Sequence, residues 1–207
     1  MTLYEPQRGI NMVYLLNHTI SAYPLVWIII GICADIFVFS YPVVLVRWFV
    51  RWWLHNLPSQ KASIQIAIIT WVVAITNMII QFFFFKSRPI FSTRENLAVI
   101  LKALPTASFP SDHAAVSMAI WVAAYMLATS KNMKHWWVFW IVTSIIMWVA
   151  RVAVWVHRPT DIIAGRALGL SWALFLYRNV YLSRISDFCI TIRNNITDKL
   201  KLTSVKK

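Results

Sequence analysis

Apolar residues in this chain come in unbroken blocks instead of alternating with polar ones at a helical or strand period. A helix that crosses a bilayer needs roughly 20 mainly apolar residues, because a rise of about 1.5 Å per residue must cover a hydrocarbon core of about 30 Å. Five stretches reach or approach that length: Pro24 to Val46, Ala62 to Phe85, His113 to Thr129, Trp136 to Val156 and Ile162 to Tyr181. The pattern predicts an all-α fold, a polytopic membrane helical bundle of about five transmembrane helices. Ahead of the first block, Ile10 to Tyr23 reads either as a short amphipathic helix lying in the interface or as a plain loop. No small-residue cleavage site follows the leader, so a removable signal peptide is not expected.

Composition sharpens this picture. Only 13% of the 207 residues are charged and 59% are apolar, whereas soluble domains carry about 25% charged residues. A disordered chain is excluded and an ordinary soluble domain is not expected. No repeat, low-complexity tract or linker interrupts the sequence, so residues 1–207 read as one domain with a basic tail over 182–207.

The net charge of +13 raises a nucleic-acid reading, but the cations sit at the ends of the apolar blocks. Arg47, Arg51 and Lys61 bracket the first connection, Lys131 and Lys134 occupy another, and Arg178, Arg184, Arg193, Lys199, Lys201, Lys206 and Lys207 load the tail. With five spans these segments share one side, which the positive-inside rule makes cytoplasmic, with the N-terminus outside. Trp48, Trp52, Trp53, Trp136 and Trp137 gather at the same boundary as an aromatic belt, and Phe82 to Phe85 read as its outer counterpart. No nucleic-acid partner is expected, and a lipid-binding role for the tail is better explained by topology.

Lys86, Arg88, Arg94, Lys102, Arg151 and Arg158 break this bias by falling at or near the outer face. Three clusters lie there: Lys86-Ser87-Arg88-Pro89, Phe109-Pro110-Ser111-Asp112-His113, and Arg151 with His157 and Asp161. Together they suit a phosphate ester. Arg88 and Arg151 offer planar, permanently charged forks for phosphoryl oxygens. Ser111 adds a hydroxyl, and the backbone N–H groups near Asp112 and His113 open a helix N-terminus, where anions are favoured. Pro110 fits the first turn of such a helix. With two histidines present, one is able to attack phosphorus while the other protonates the leaving oxygen, and Asp161 is placed to accept the N–H of His157. Zinc ligation by His113, His157 and Asp161 is the competing reading, weakened by the lack of a nearby Glu base and by repulsion from the arginines.

In order and spacing the three clusters, over residues 81–161, resemble the signature of the type 2 phosphatidic acid phosphatase superfamily: Lys, six residues, Arg-Pro; Pro-Ser-Gly-His; Ser-Arg, five residues, His, three residues, Asp. The variant Pro-Ser-Asp-His in a short chain looks most like the bacterial undecaprenyl-diphosphate phosphatases of bacitracin-resistance type. Three positions depart from the pattern: Gln81 stands at the first Lys, Asp112 at the Gly, and Ala150 at the Ser before Arg151. Asp112 would repel a bound phosphate, so it is expected to point away or to position a neighbour.

The resemblance implies His157 as nucleophile forming a phosphohistidine, Asp161 as its orienting partner, and His113 as general acid and then activator of water. Arg88, Ser111 and Arg151 would hold the phosphoryl group, with Lys86 a further candidate. No metal or cofactor is implied, and the partners are a phosphorylated lipid substrate and membrane lipids. The implied activity is hydrolysis of undecaprenyl diphosphate to the monophosphate at the outer face of a bacterial plasma membrane, which recycles the carrier lipid of cell-wall synthesis. A phosphatidylglycerophosphate, phosphatidate or lipid A phosphatase is the alternative within the class. A non-catalytic phosphate-lipid binding or transport protein is the alternative outside it, favoured by Gln81.

Several residues lie outside the signature. Asp35 and Arg166 fall within spans, where an ion pair between them competes with a protonated or water-lined Asp35. His18, His55 and His135 read as interface residues, Arg158 as charge at the site mouth or a solvent-facing group, and Cys33 and Cys189 as structural or incidental.

Overall fold

The computed structural model describes residues 15–53, 57–89, 107–127 and 131–204, and every regular element among them is a helix. A short α1 (Leu15–Ser21) turns sharply into α2 (Pro24–Trp53), with a bend of 119° between α1 and the segment Pro24–Ala34. Then follow α3 (Leu57–Phe83), α4 (Asp112–Leu127), α5 (Lys131–Ala153), α6 (Pro159–Leu176) and α7 (Val180–Ser204). The stretch Gln60–Phe83 is by itself long and apolar enough to cross a membrane, and α1 with the start of α2 meets that test as a bent pair. Asp112–Leu127 and Trp137–Ala153 are apolar but shorter.

The helices differ from the expected spans at their ends, for local reasons. The fourth block loses Val154 to Val156 from its helix because the chain leaves α5 through Trp155, which adopts φ 59°. The fifth begins earlier, at Pro159, where proline suits the first turn and the Asp161 carboxylate accepts the Arg158 N–H at 3.0 Å. The basic tail is itself mostly α7. Leu182 and Ser186, four residues apart, are buried on one face, while Arg193 donates to Gln60 at 2.5 Å and Lys61 pairs with Asp187 at 2.7 Å. These contacts bind α7 to the first turns of α3 at one end of the bundle.

Apolar side chains cover the outside of the helices as well as the inside. Leu25, Ile32, Trp71, Met78, Val142 and Val149 are exposed, while the interior is built from Tyr41, Ile66, Ile69, Trp140 and Met147 together with a run of small residues, Ala114, Ala115, Ala119 and Ala123. Helices apolar all round belong in a membrane or a large core, and small residues at contacts let backbones approach closely. The pair α4 and α6 packs most extensively. Gly165 and Gly169, one turn apart on α6, lie against the backbone of Ser111 and Ala115 so closely that a Cβ would stand 2.5 Å and 2.2 Å from their carbonyl oxygens. The start of α4 is thereby pressed onto the start of α6.

Several buried polar groups in this interior are bonded. Trp148 donates to Ser117 at 2.9 Å, Tyr41 and Ser144 meet at 3.0 Å, and Asn17 of α1 donates to the last carbonyl of α5, that of Ala153, at 3.0 Å. The last contact satisfies a carbonyl that a helix end leaves open. The Arg166 guanidinium lies 4.4 Å over the Trp148 ring. The side chain of Asp35, and so the pairing expected for it, lies outside the described side chains, as do Arg94, Lys102 and the Trp48 to Trp53 segment of the inner belt.

Candidate active site

Four chain segments meet at the end of the bundle opposite the Lys61–Asp187 pair: the stretch after α3, the start of α4, the turn after α5 and the start of α6. Backbone contacts join them. Ser108 N–H donates to the Lys86 carbonyl at 2.7 Å, Ser111 N–H donates to the Asp161 carbonyl at 3.1 Å, and Arg158 Nη1 donates to the Ser87 carbonyl at 3.1 Å. The three clusters that are separate in sequence are neighbours here.

His157 sits at the centre and is 1% exposed. Two backbone bonds from Val156 and His157 to the Arg151 carbonyl close the turn that carries it. Its Nδ1 lies 2.9 Å from the Ser108 carbonyl oxygen. A carbonyl only accepts, so Nδ1 bears the hydrogen and Nε2 keeps the lone pair of the neutral ring. Arg151 Nη2 donates to that Nε2 at 3.1 Å, and Arg151 Nη1 donates to the Ala34 carbonyl at 3.1 Å. Burial holds His157 well below the usual imidazole range; the cations Arg151 and Arg88 and the facing His113 push the same way, and the Ser108 carbonyl opposes them.

The expected direct bond from His157 to Asp161 is not what forms. Asp161 is fully buried, but as the third residue of α6 it folds back onto the N–H of Arg158 and is further held by Lys86 at 3.1 Å and by the Ser108 hydroxyl at 2.5 Å. The same hydroxyl lies 3.4 Å from His157 Nδ1. Ser108 therefore stands between the two residues, supplying a carbonyl to one and a hydroxyl to the other. Its sequence context offers no signal for this, since the role arises only where the chain before α4 crosses the turn after α5.

Of the expected phosphate-binding groups, Lys86 reaches in, with Nζ 3.1 Å from Asp161 and 5.8 Å from the centre of the Phe109 ring. Arg88 and Arg151 are nine-tenths or more buried. Ser111 is fully buried, and its hydroxyl has no hydrogen-bond partner among the described residues. His113 stands half-buried in the first turn of α4. Gln81 does not face this group: it donates to Asp112 at 2.8 Å and to the Pro110 carbonyl at 2.9 Å. Asp112 meets α3, where Asn77 and Gln81 donate to its Oδ1.

Beside the site opens a cleft of about 640 Å³ between α1, α4, α5 and α6. Its lining is almost wholly apolar, including Leu16, Trp121, Ile145 and Val152, and it runs up to Pro159 and Ile162, which flank Asp161. Arg166 is its one charged wall residue.

Comparisons with known proteins agree with this architecture. The chain is 29% identical over 129 residues to the bacitracin transport permease protein BcrC of Bacillus licheniformis, covering 62% of this chain and 61% of that protein. It is 39% identical over 82 residues to an undecaprenyl-diphosphatase of Sulfolobus acidocaldarius, covering 39% of this chain and 37% of that protein. The chain thus spans less than two thirds of both curated relatives. Among solved structures, LpxE of Aquifex aeolicus superposes with a TM-score of 0.66 at 16% identity, over 86% of this chain and 100% of that one. A transmembrane PAP2 type phosphatidylglycerolphosphate phosphatase from Bacillus subtilis superposes with a TM-score of 0.59 at 18% identity, over 84% and 86%. At such identities these two likenesses show the fold alone. The profile of the PAP2 superfamily matches residues 62–185, more than half of the chain, with all three clusters and Gln81 inside it, and the chain belongs to that superfamily.

Proposed function

We propose that this protein is a membrane lipid-phosphate phosphatase that works through a phosphohistidine, with His157 as nucleophile. Membership of the superfamily supports a phosphoric-ester hydrolase. The single observation that carries the mechanism is the state of His157: Nδ1 is tied to the Ser108 carbonyl, and the lone pair of Nε2 faces Arg151.

The proposed sequence follows from these positions. A phosphoryl group entering the site draws the guanidinium of Arg151 from Nε2 to its own oxygens, with Arg88, Lys86 and the Ser111 hydroxyl as further donors. Nε2 then attacks phosphorus while His113 gives its proton to the departing oxygen, breaking the P–O bond. His113, now neutral, takes a proton from water as that water attacks the phosphohistidine, releasing phosphate and restoring His157. The cations and backbone donors offset the charge that spreads over the phosphoryl oxygens in the transition state.

The substrate we favour is a polyprenyl diphosphate such as undecaprenyl diphosphate, cleaved to the monophosphate. The name of one curated relative, an undecaprenyl-diphosphatase, supports that choice, and the apolar cleft beside Asp161 suits a long hydrocarbon chain. A glycerophospholipid phosphate, the class of substrate named for the Bacillus subtilis protein of like fold, is the second reading. We further propose five spans in a plasma membrane, with this site outside and the C-terminus in the cytoplasm. Cysteines introduced at positions 94 and 131 should label from opposite sides, and labelling from one side would overturn that topology.

The test of the reaction is phosphate release by purified protein in detergent with EDTA present, comparing undecaprenyl diphosphate, phosphatidylglycerol phosphate and phosphatidate, with His157→Ala alongside. Release that prefers the prenyl diphosphate and vanishes in the variant supports the proposal. Equal release from both proteins, or none on any lipid, favours binding or transport instead. Activity lost to EDTA and restored by a divalent cation would overturn the metal-free mechanism.

A further inference from the structure

Two of the departures from the superfamily pattern meet each other. Asn77 and Gln81 lie four residues apart on α3 and so share a face. Asn77 is fully buried within a mostly apolar stretch. Its Nδ2 donates to the Pro110 carbonyl at 3.3 Å and to Asp112 Oδ1. Gln81 Nε2 donates to the same two atoms, at 2.9 Å and 2.8 Å. Two carboxamides thus grip one carbonyl and one carboxylate oxygen. Neither acceptor has a hydrogen to give, so both positions need an N–H donor, which Asn and Gln supply and their acidic isosteres do not.

The gripped atoms bracket Ser111 and lie directly before His113. On its other side the same segment is held by α6, through the Ser111 N–H bond to the Asp161 carbonyl and the close approach of Gly165 to the Ser111 carbonyl. The opening turn of α4 is therefore clamped between α3 side chains and the α6 backbone. Asp112 is held in that clamp through its Oδ1.

We infer that Asn77 and Gln81 are positioning residues that hold Asp112 and the Pro110 carbonyl, and through them fix where His113 and Ser111 stand relative to His157. This rests on the phosphatase reading above and adds the residues that set its geometry. Gln81 in this role is no substitute phosphate ligand, and Lys86 is the cation that reaches the site instead.

The experiment exchanges donor and acceptor, with kcat, KM and thermal unfolding measured in detergent. Gln81→Glu sets an acceptor against acceptors and should lower kcat about tenfold or more with little change in KM, because displaced catalytic groups cost rate. Asp112→Asn keeps an oxygen for both amides and should stay within about threefold of wild type. The double variant Gln81→Glu with Asp112→Asn restores a donor to the pair and should recover most of the kcat lost in Gln81→Glu. Unchanged kcat in Gln81→Glu, a loss confined to KM, or a double variant no better than the single one overturns the inference. Should Gln81→Glu fail to fold, Gln81→Lys and Gln81→Leu decide it: the lysine should keep kcat and the leucine lose it, and the reverse order overturns the clamp. If wild type and His157→Ala release phosphate equally, the phosphatase reading falls first and this inference with it; a dead His157→Ala beside indifferent position-81 variants removes the clamp alone.

Discussion

A methyl group added at Gly165 tests how the two halves of the site are joined. The new Cβ would stand 2.5 Å from the Ser111 carbonyl oxygen, 3.1 Å from Ala114 Cβ and 3.2 Å from the Ala115 nitrogen. Comfortable contact begins near 3.4 Å, so α4 and α6 must part by roughly 0.9 Å, and the nearest obstacle is backbone that has no rotamer to change. That separation opens the line between Ser111 and His113 on one helix and His157 and Asp161 before and on the other, and it stretches the 3.1 Å bond from Ser111 N–H to the Asp161 carbonyl. A displacement of about 1 Å at reacting groups costs on the order of 100-fold in rate, and overpacking costs about 1–3 kcal/mol in stability. Gly165→Ala should therefore lower kcat for phosphate release roughly 10- to 100-fold while the protein remains folded, with a reduced Tm. Gly169→Ala, whose Cβ would meet the Ala115 carbonyl at 2.2 Å one turn farther from the site, should lose more stability and less rate. Phosphate release and thermal unfolding in detergent measure both. Wild-type kcat and Tm in Gly165→Ala would refute the argument, since the helices would then have room to spare.

The remaining predictions concern the groups around His157. Its pKa is held below the usual imidazole range by burial and by Arg151 and Arg88, so protonation removes the proposed nucleophile only at pH values below about 6.5, and the acid limb of kcat/KM should lie there. Arg151→Gln removes one of those charges and should move the limb toward neutrality; a wild-type limb at or above 6.5 that the variant leaves in place would count against it. The same depressed value means the unfolded chain takes up this proton first, so stability should decline as pH falls below about 6.5. Ser108→Ala deletes the hydroxyl between His157 and Asp161 but keeps the carbonyl, and kcat should fall roughly tenfold; an unchanged kcat would show that the link carries nothing. Lys86→Met should raise KM several-fold if its ammonium moves from Asp161 to the phosphate, whereas a loss in kcat alone would assign Lys86 to orienting Asp161.

The residues that gather at the candidate site were largely readable from residue types. Arg88, Ser111, His113, Arg151, His157 and Asp161 stand out because cations and imidazoles clustered at the ends of apolar blocks demand a reason, and their order and spacing resemble the superfamily's signature. The helical class was equally plain from the length of the apolar blocks. Less was legible where contacts run between segments. Asn77 offered a faint signal, a carboxamide inside an apolar stretch, while the Gly165 and Gly169 spacing offered another; neither says by itself which backbone it faces. The helix in the tail was hidden because its charges dominated the pattern and only a narrow stripe, Leu182 and Ser186, is buried.

The amino-acid sequence alone determined the helical class and the candidate groups for holding and attacking a phosphate, because both depend on residue type and short-range spacing. Tertiary structure decided how those groups are paired. The partner of His157 is Ser108 because the chain before α4 crosses the turn after α5 there, and Asp161 turns back because it opens a helix whose first N–H groups need an acceptor. Gln81 meets Asp112 because α3 and α4 bring a donor and an acceptor together. A hydrogen bond is set by distances of a few tenths of an ångström between segments far apart in the chain, and only the packed helices set those distances.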